Sequence, residues 1–204
     1  MSAVLIASDK ARMRQQQILD AACDCVRRSG FHGASMAEIA QAAGLSVGQI
    51  YRYFENKEAI VAAIVAQDLA EMRAKFAEFE TAGGSMVDMA IDQCARAVDR
   101  NYDPARAALV LEVLAEAARN PKVAAIVQAA DAAERALARK LLDQAHAPGR
   151  DEAETLARGE VLSMLIEGMV MRSICNPDAD RGEIERVLRA VMRLLLSDQP
   201  LPAG

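Results

Sequence analysis

Apolar residues recur along this chain at helical spacing almost from end to end. Between Lys10 and Ser29, Ile18, Ala22 and Val26 fall every fourth position with Leu19 beside them, the stripe of a helix packed on one side. Gly30 stands where a left-handed residue would close that helix. Ser35-Met36-Ala37-Glu38 then reads as a capping box, with the serine oxygen accepting a free backbone N–H and the glutamate reaching back. It predicts a second helix through Ala43, ended by Gly44. Ser46-Val47-Gly48-Gln49 is a second box and predicts a third helix through Tyr53 or Phe54. Two short capped helices joined by Gly44-Leu45 make a helix-turn-helix pattern.

Beyond it the pattern stays helical. A fourth helix is expected from Asn56 to about Thr81, broken by Gly83-Gly84, and a fifth from Ser85 to about Arg100. Asp103-Pro104 and Asn120-Pro121 each set a capping residue before a proline at the first helical position, and so start helices of roughly 104–118 and 121–145. Ala147-Pro148-Gly149 reads as a loop. Asp151 with Glu154 opens a long apolar helix to about Cys175, and Asp180 with Glu183 a last one to about Ser197. The expectation is nine helices without a strand.

Composition agrees. The 204 residues are 52% hydrophobic but only 3% aromatic, without Trp and rich in Ala, Leu, Met, Glu and Arg, which favour helix. No apolar run approaches the roughly 18 residues that span a bilayer, and the basic residues at the N-terminus follow its short apolar stretch, the reverse of a secretory signal. A cytoplasmic protein is expected. Cys23, Cys25, Cys94 and Cys175 have no metal-ligand spacing and read as reduced thiols, with a redox switch as the lesser alternative. No metal or cofactor is expected. With His32 and His146 the only histidines, and no nucleophile elbow or phosphate loop, enzyme chemistry is not expected either.

Charge changes the picture only slightly. Residues 1–58 carry seven basic and six acidic side chains, a balance of +1, while the remaining seventeen basic and twenty-three acidic residues bring the chain to −5. Phosphate attraction must therefore come from a local surface at the N-terminal end. On the third helix, Leu45 and Ile50 suit anchors against Ile39 and Ala40, which leaves Val47, Gly48, Gln49, Tyr51, Arg52 and Tyr53 around the outer face. Gly48 permits close backbone approach, Gln49 can donate and accept at base edges, and Tyr51 suits a thymine methyl or a phosphate. Tyr53 and Lys57 suit phosphate, Lys57 lying near the free N–H groups that open the fourth helix. The same pattern also serves as a plain packing unit in other proteins.

The run from Phe31 to Ile60 resembles the signature of the tetracycline-repressor (TetR/AcrR) family. The residues that carry the likeness are Ile39-Ala40, Ala43-Gly44-Leu45-Ser46, Gly48, Tyr51, Tyr53-Phe54 and Lys57-Glu58, within about residues 12–64. Ser35, Met36 and Gln49 stand where Thr, Val and a smaller residue are commoner. The resemblance implies an all-α, two-domain fold: a three-helix DNA-binding domain over 1–56, with the helix 57–81 connecting, and a ligand-binding and dimerisation domain over 57–204. It implies a third helix in the major groove, with Ser35, Ser46, Val47, Gly48, Gln49, Tyr51, Arg52, Tyr53 and Lys57 at the DNA; Arg12 and Arg14 are placed to reach phosphates or a minor groove.

It also implies a homodimer on palindrome-like operator DNA, paired through the last two helices. Residues 161–171 are apolar nearly all round, and Leu165, Met169, Val187, Val191, Leu194 and Leu195 are the expected interface, though the same residues could only close the domain's own core. Met86, Met89, Tyr102, Met164 and Met171, with Glu112 and Glu167 as carboxylates on apolar faces, are the candidates for a pocket taking a small hydrophobic effector. An ordinary core would use the same methionines. A repressor released by its ligand is the expected activity, an activator or ligand-independent regulator the alternative.

Overall fold

The structure, a computed structural model, describes residues 2–83, 85–145 and 151–197. Among the described residues there are ten helices and no strand: α1 (Ser2–Gly33), α2 (Met36–Ala42), α3 (Val47–Ile50), α4 (Lys57–Ala82), α5 (Met86–Asp92), α6 (Cys94–Asn101), α7 (Pro104–Ala117), α8 (Pro121–Ala145), α9 (Glu152–Cys175) and α10 (Arg181–Leu196). The expected loop at Ala147-Pro148-Gly149 and His146 lie outside the described residues.

The tenth helix comes from a break in the expected Ser85–Arg100 segment. The Gln93 N–H points at the carbonyls of both Ile91 and Met89, which tightens the chain for one residue. Ile91, Cys94 and Val98 are buried on both sides of the break. Their helical spacing runs straight through it, so the apolar pattern carries no mark of the interruption.

Two compact units divide the chain. The first comprises Met1–Asp68 and Ala108–Gln128, more than the expected 1–56 segment. Its main core joins Ile18, Ala22, Cys25 and Val26 of α1 to Ile39 and Ala40 of α2, Ile50 of α3, Phe54 and Ile60. A second cluster explains the added segment, because Phe31 and Val61 pack with Val113 of α7 and Val123 of α8. The second unit comprises Leu69–Ala107 and Ala129–Gly204. Its core gathers Ile91, Cys94, Val98, Tyr102, Leu142, Met169, Leu188, Met192 and Leu196.

The bulkiest of the fully buried side chains is charged. Arg158 of α9 is 1% exposed. Its Nη1 donates to the carbonyls of Leu194 (2.9 Å), Leu195 (3.1 Å) and Ser197 (3.2 Å), and its Nε and Nη2 donate to Glu154 Oε1 at 3.0 and 2.6 Å. The last carbonyls of a helix have no partner within it. Arg158 supplies one for the end of α10, tying that helix to α9.

The expected dimer residues separate here. Met169 is buried in the second unit's own core and Leu195 is buried as well, at 7% and 6% exposure, so neither presents a surface on the single chain. Leu165 and Val191 are half-buried, whereas Val187 and Leu194 are exposed. A 3.6-residue period brings 165 and 169 near each other, but the α9 face turned to the second core runs through Met169 and the exposed face through Leu156, Val161, Met164, Met171 and Ile174.

The cysteines are free thiols. Burial raises Cys25 and Cys94, and pushes half-buried Cys23 up to about 11 against the pull of Arg27. A protonated thiol is a poor nucleophile. Iodoacetamide at pH 8 is therefore expected to leave Cys23 unmodified in the folded protein, with labelling rising only as the pH nears 11, read by peptide mass mapping. Fast labelling of Cys23 at pH 8 would contradict its burial. The linkage has the matching sign: stability from the protonated Cys23 is complete below pH 9 and is lost as the pH rises through about 11.

Candidate nucleic-acid interface

The interface is built outward from two caps. Ser35 Oγ accepts from Glu38 N–H at 3.1 Å and starts α2. The expected return bond from Glu38 is absent, because its carboxylate is drawn to Arg28 (3.1 Å) and Ser29 Oγ (3.1 Å) on α1. Arg28 holds the Glu38 carboxyl below its ordinary range. Only half of this box forms, and the rest becomes a tie between α1 and α2.

Helix α2 ends in a Schellman turn. Leu45 N–H reaches back to Ala40 O (2.9 Å) and Gly44 N–H to Gln41 O (3.1 Å), with Gly44 at φ +65°. Leu45 packs on the main core, and Gln17 of α1 donates to Ala43 O at 2.6 Å. The entry angle of α3 is thus fixed from two sides.

Ser46 opens α3 with a complete capping box. Its Oγ accepts from Gln49 N–H (3.3 Å), and Gln49 Oε1 accepts from Ser46 N–H (2.9 Å). The helix is shorter than the expected run to Tyr53. Past Ile50 the chain tightens, with Arg52 N–H on Gln49 O and Tyr53 N–H on Ile50 O. Ile50 is fully buried and Phe54 nearly so, while Ser35, Ser46, Val47, Gly48, Gln49, Tyr51 and Arg52 are exposed. Tyr53 is half-buried against the core. A Cβ on Gly48 would meet nothing within 4 Å, so nothing in the chain's own packing requires glycine there. The empty space suits a surface that a second molecule approaches.

Lys57, expected at phosphate, is engaged within its own unit. Its ammonium donates to the carbonyl of Phe31 and sits 4.1 Å from the centre of the Phe31 ring. Burial lowers its pKa. Its cationic end is engaged inside the unit, and phosphate would have to draw it off the carbonyl. On α1, exposed Arg12 bonds to Asp9 and half-buried Arg14 to Gln17.

Sequence reasoning missed the junction that Lys57 belongs to. Gly30 interrupts α1 with φ +71° and ψ 171°, and the Phe31 N–H freed there donates to Glu112 Oε2 of α7 at 3.1 Å. Glu112, expected in an effector pocket, accepts this backbone bond within the first unit. One turn on, Glu116 is 2% exposed and lies 3.1 Å from His32 Nε2. Asn120 joins Glu116 (3.1 Å) to Glu58 (3.3 Å). The available signal was two glutamates one turn apart on an apolar helix. Nothing local names their partners.

The other effector candidates do not gather. Met89 and Tyr102 pack in the second core, where the Arg181 guanidinium lies over the Tyr102 ring (5.8 Å) and bonds its carbonyl (3.2 Å). Met164 and Met171 are 58% and 59% exposed on the outer face of α9, with Glu167 between them. Partial burial, then Asp131 and Glu160, raise the Glu167 pKa. The side chain of Met86 lies outside the described residues. An open cleft of about 350 Å³ lies elsewhere in the second unit, lined by Glu71, Lys75, Glu78, Phe79, Gln93 and Arg96.

A Schellman-ended helix, a tight turn and a capped short helix with an exposed polar face define a helix-turn-helix DNA-binding regulator. The chain belongs to the tetR family of bacterial regulatory proteins: that family's model matches residues 18–64, and the tetracyclin repressor-like C-terminal domain matches 85–196. It is 34% identical over 119 residues to the HTH-type transcriptional regulator UidR of Escherichia coli, a match over 58% of this chain. The match spans 59% of that relative's length. The HTH-type transcriptional repressor AcnR of Corynebacterium diphtheriae is 25% identical over 96% of this chain and 98% of its own. Among solved structures, Salmonella enterica GusR superposes with a TM-score of 0.73 at 27% identity, covering 90% of this chain and 95% of that one. The described residues include no helix long and apolar enough to cross a membrane.

Proposed function

We propose that this chain is a homodimeric repressor that docks α3 in the major groove of a palindrome-like operator and is released by a small hydrophobic effector. The observation that carries this is the outer face of α3. Ser46, Val47, Gly48, Gln49, Tyr51 and Arg52 are exposed together, while Ile50 alone of that helix is sunk in the core. A rigidly anchored helix with a free polar face is what direct base readout requires.

DNA binding falls to residues 1–56, with Ser35 and Tyr53 at phosphates beside α3 and Lys57 reaching phosphate after release from Phe31. The free apolar side chains of α9 and α10, Leu156, Val161, Met164, Met171, Ile174, Val187 and Leu194, support pairing with a second copy within residues 57–204. Two copies would set two α3 helices about 34 Å apart, one turn of duplex. Repression is favoured by the full-length likeness to a repressor. The apolar, methionine-rich second unit favours a hydrophobic effector. The site of action is the cytoplasm, where operator DNA is.

Selection from a random duplex pool, followed by fluorescence anisotropy, tests the reading. The full chain is expected to recover two related half-sites, with affinity falling steeply as salt rises. Tyr51→Ala should weaken binding at least tenfold with the melting temperature unchanged, since Tyr51 is 53% exposed. Recovery of no duplex would overturn the proposal.

A further inference from the structure

We propose that Gln17, preset by Arg14, is a positioning residue for DNA binding: it holds the turn between α2 and α3 at the angle from which α3 enters the groove. This rests on the reading of α3 as the groove-docking helix. Gln17 Nε2 donates to Ala43 O at 2.6 Å, and Arg14 Nη1 donates to Gln17 Oε1 at 2.7 Å. Both bonds fix the same orientation of the amide. A carbonyl only accepts, so the atom on Ala43 O is the NH₂ group, and a guanidinium only donates, so the atom on Arg14 is the oxygen. A charged donor on the amide oxygen also polarises its N–H groups toward Ala43.

The carbonyl held in this way lies at the joint of the motif. Ala43 caps α2 and is 5% exposed. Carbonyls at a helix end have no partner within the helix. The Schellman turn satisfies those of Ala40 and Gln41, through the N–H groups of Leu45 and Gly44. Among the described residues, the bond that reaches Ala43 O comes from Gln17. Helix α3 spans four residues and Ile50 is its one buried side chain, so its direction depends on the turn that precedes it. The other end of α2 is tied to α1 as well, through Glu38 to Arg28 and Ser29. Gln17 closes the tie nearer the reading helix. Without it the turn samples other angles, and apparent affinity falls in proportion to the fraction of chains that stays competent.

Fluorescence anisotropy on a duplex selected by the wild-type chain compares Gln17→Leu, Arg14→Met and the double variant across a salt series. Thermal melting and amide hydrogen exchange are read on each DNA-free chain. Gln17→Leu removes both bonds at nearly constant volume. It is expected to weaken binding about fivefold, the size of one net hydrogen bond, with the melting temperature little changed because Gln17 is exposed. The slope of affinity against salt should stay that of the wild type, since a neutral side chain releases no counterion. Exchange at the Gly44 and Leu45 amides should speed up. Arg14→Met should weaken binding in the wild-type background and add little to Gln17→Leu, because it acts through the same bond. Gln17→Asn, one methylene too short for Ala43 O, repeats the comparison should leucine disturb the fold. Unchanged affinity and exchange in Gln17→Leu overturn the inference. An equal Arg14→Met loss in both backgrounds overturns it too, because Arg14 then acts on its own; a salt slope about one smaller would name phosphate as its partner. A wild-type chain that selects no duplex refutes instead the docking of α3, on which the inference rests.

Discussion

Replacing Arg158 by methionine is expected to lower the melting temperature by roughly 10 °C. Methionine fills much of the same volume, so the loss is not mainly one of packing. What disappears is a charged donor shared by the carbonyls of Leu194, Leu195 and Ser197, of which Leu194 O keeps the N–H and Oγ of Ser197. Hydrogen bonds to a charged group contribute about 1.5–3 kcal/mol, which sets the size of the loss. Glu154 is 28% exposed and can turn to water, so the loss of its ion pair costs less than that of a fully buried pair would. A total near 3 kcal/mol corresponds to that shift, at about 2–4 °C per kcal/mol for a chain of this size. Arg158→Lys should recover only part of it, because one ammonium cannot reach three carbonyls and a carboxylate in the same geometry. Calorimetry reads all three proteins, and an Arg158→Met variant within a degree of wild type would mean that water replaces the arginine without loss.

Gly30→Ala should destabilise the first unit by about 2–4 kcal/mol. At φ +71° and ψ 171° the backbone lies in a region essentially confined to glycine, which costs other residues about 1–3 kcal/mol. Space adds to conformation. The new Cβ would stand 3.2 Å from Glu112 Oε2, the oxygen that accepts from Phe31 N–H. Relief of that contact breaks or lengthens the hydrogen bond. A double-mutant cycle with Glu112→Ala separates the two contributions, since removing the carboxylate abolishes the steric part and leaves the strain. Urea unfolding is expected to show Gly30→Ala costing less in the Glu112→Ala background than in the wild type. Equal costs in the two backgrounds would show that Glu112 plays no part in the penalty.

The two residues differ in how far the sequence exposes them. Gly30 is visible as a helix-ending glycine, and its positive φ follows from that reading. The carboxylate beside it is not visible, since Glu112 lies 81 residues away from Phe31. Arg158 reads as one more charged residue in an amphipathic helix. Its burial depends on where the end of α10 falls, which no spacing within α9 encodes. Lys57 shows the same limit from the other side. Its type and place suit phosphate, yet the carbonyl and ring of Phe31 hold it inside the unit.

The effector and dimer candidates failed to sort for a related reason. Met164, Met169 and Met171 lie within eight residues on one apolar helix, and hydropathy treats them alike. Packing of the second core buries Met169 and leaves Met164 and Met171 exposed. Where a helix is apolar on several sides, its periodicity cannot say which side faces the chain's own core.

What the sequence alone determined is the set of interactions that close within about four residues. The caps at Ser35, Ser46, Ser85, Asp151 and Asp180, the Gly44 turn, the apolar stripe of α1 and the buried Ile50 all follow from helical geometry and local hydrogen bonding. These are enough to specify a helix-turn-helix and its exposed reading face. Only tertiary structure decided which polar groups find partners across the fold: Glu38 with Arg28, Glu112 with Phe31, Lys57 with the Phe31 carbonyl, Arg158 with the end of α10. Such pairings arise because burial forces each polar group to find some partner. Which partner it finds depends on chain segments brought together by apolar packing, and that proximity is written in no local run of residues.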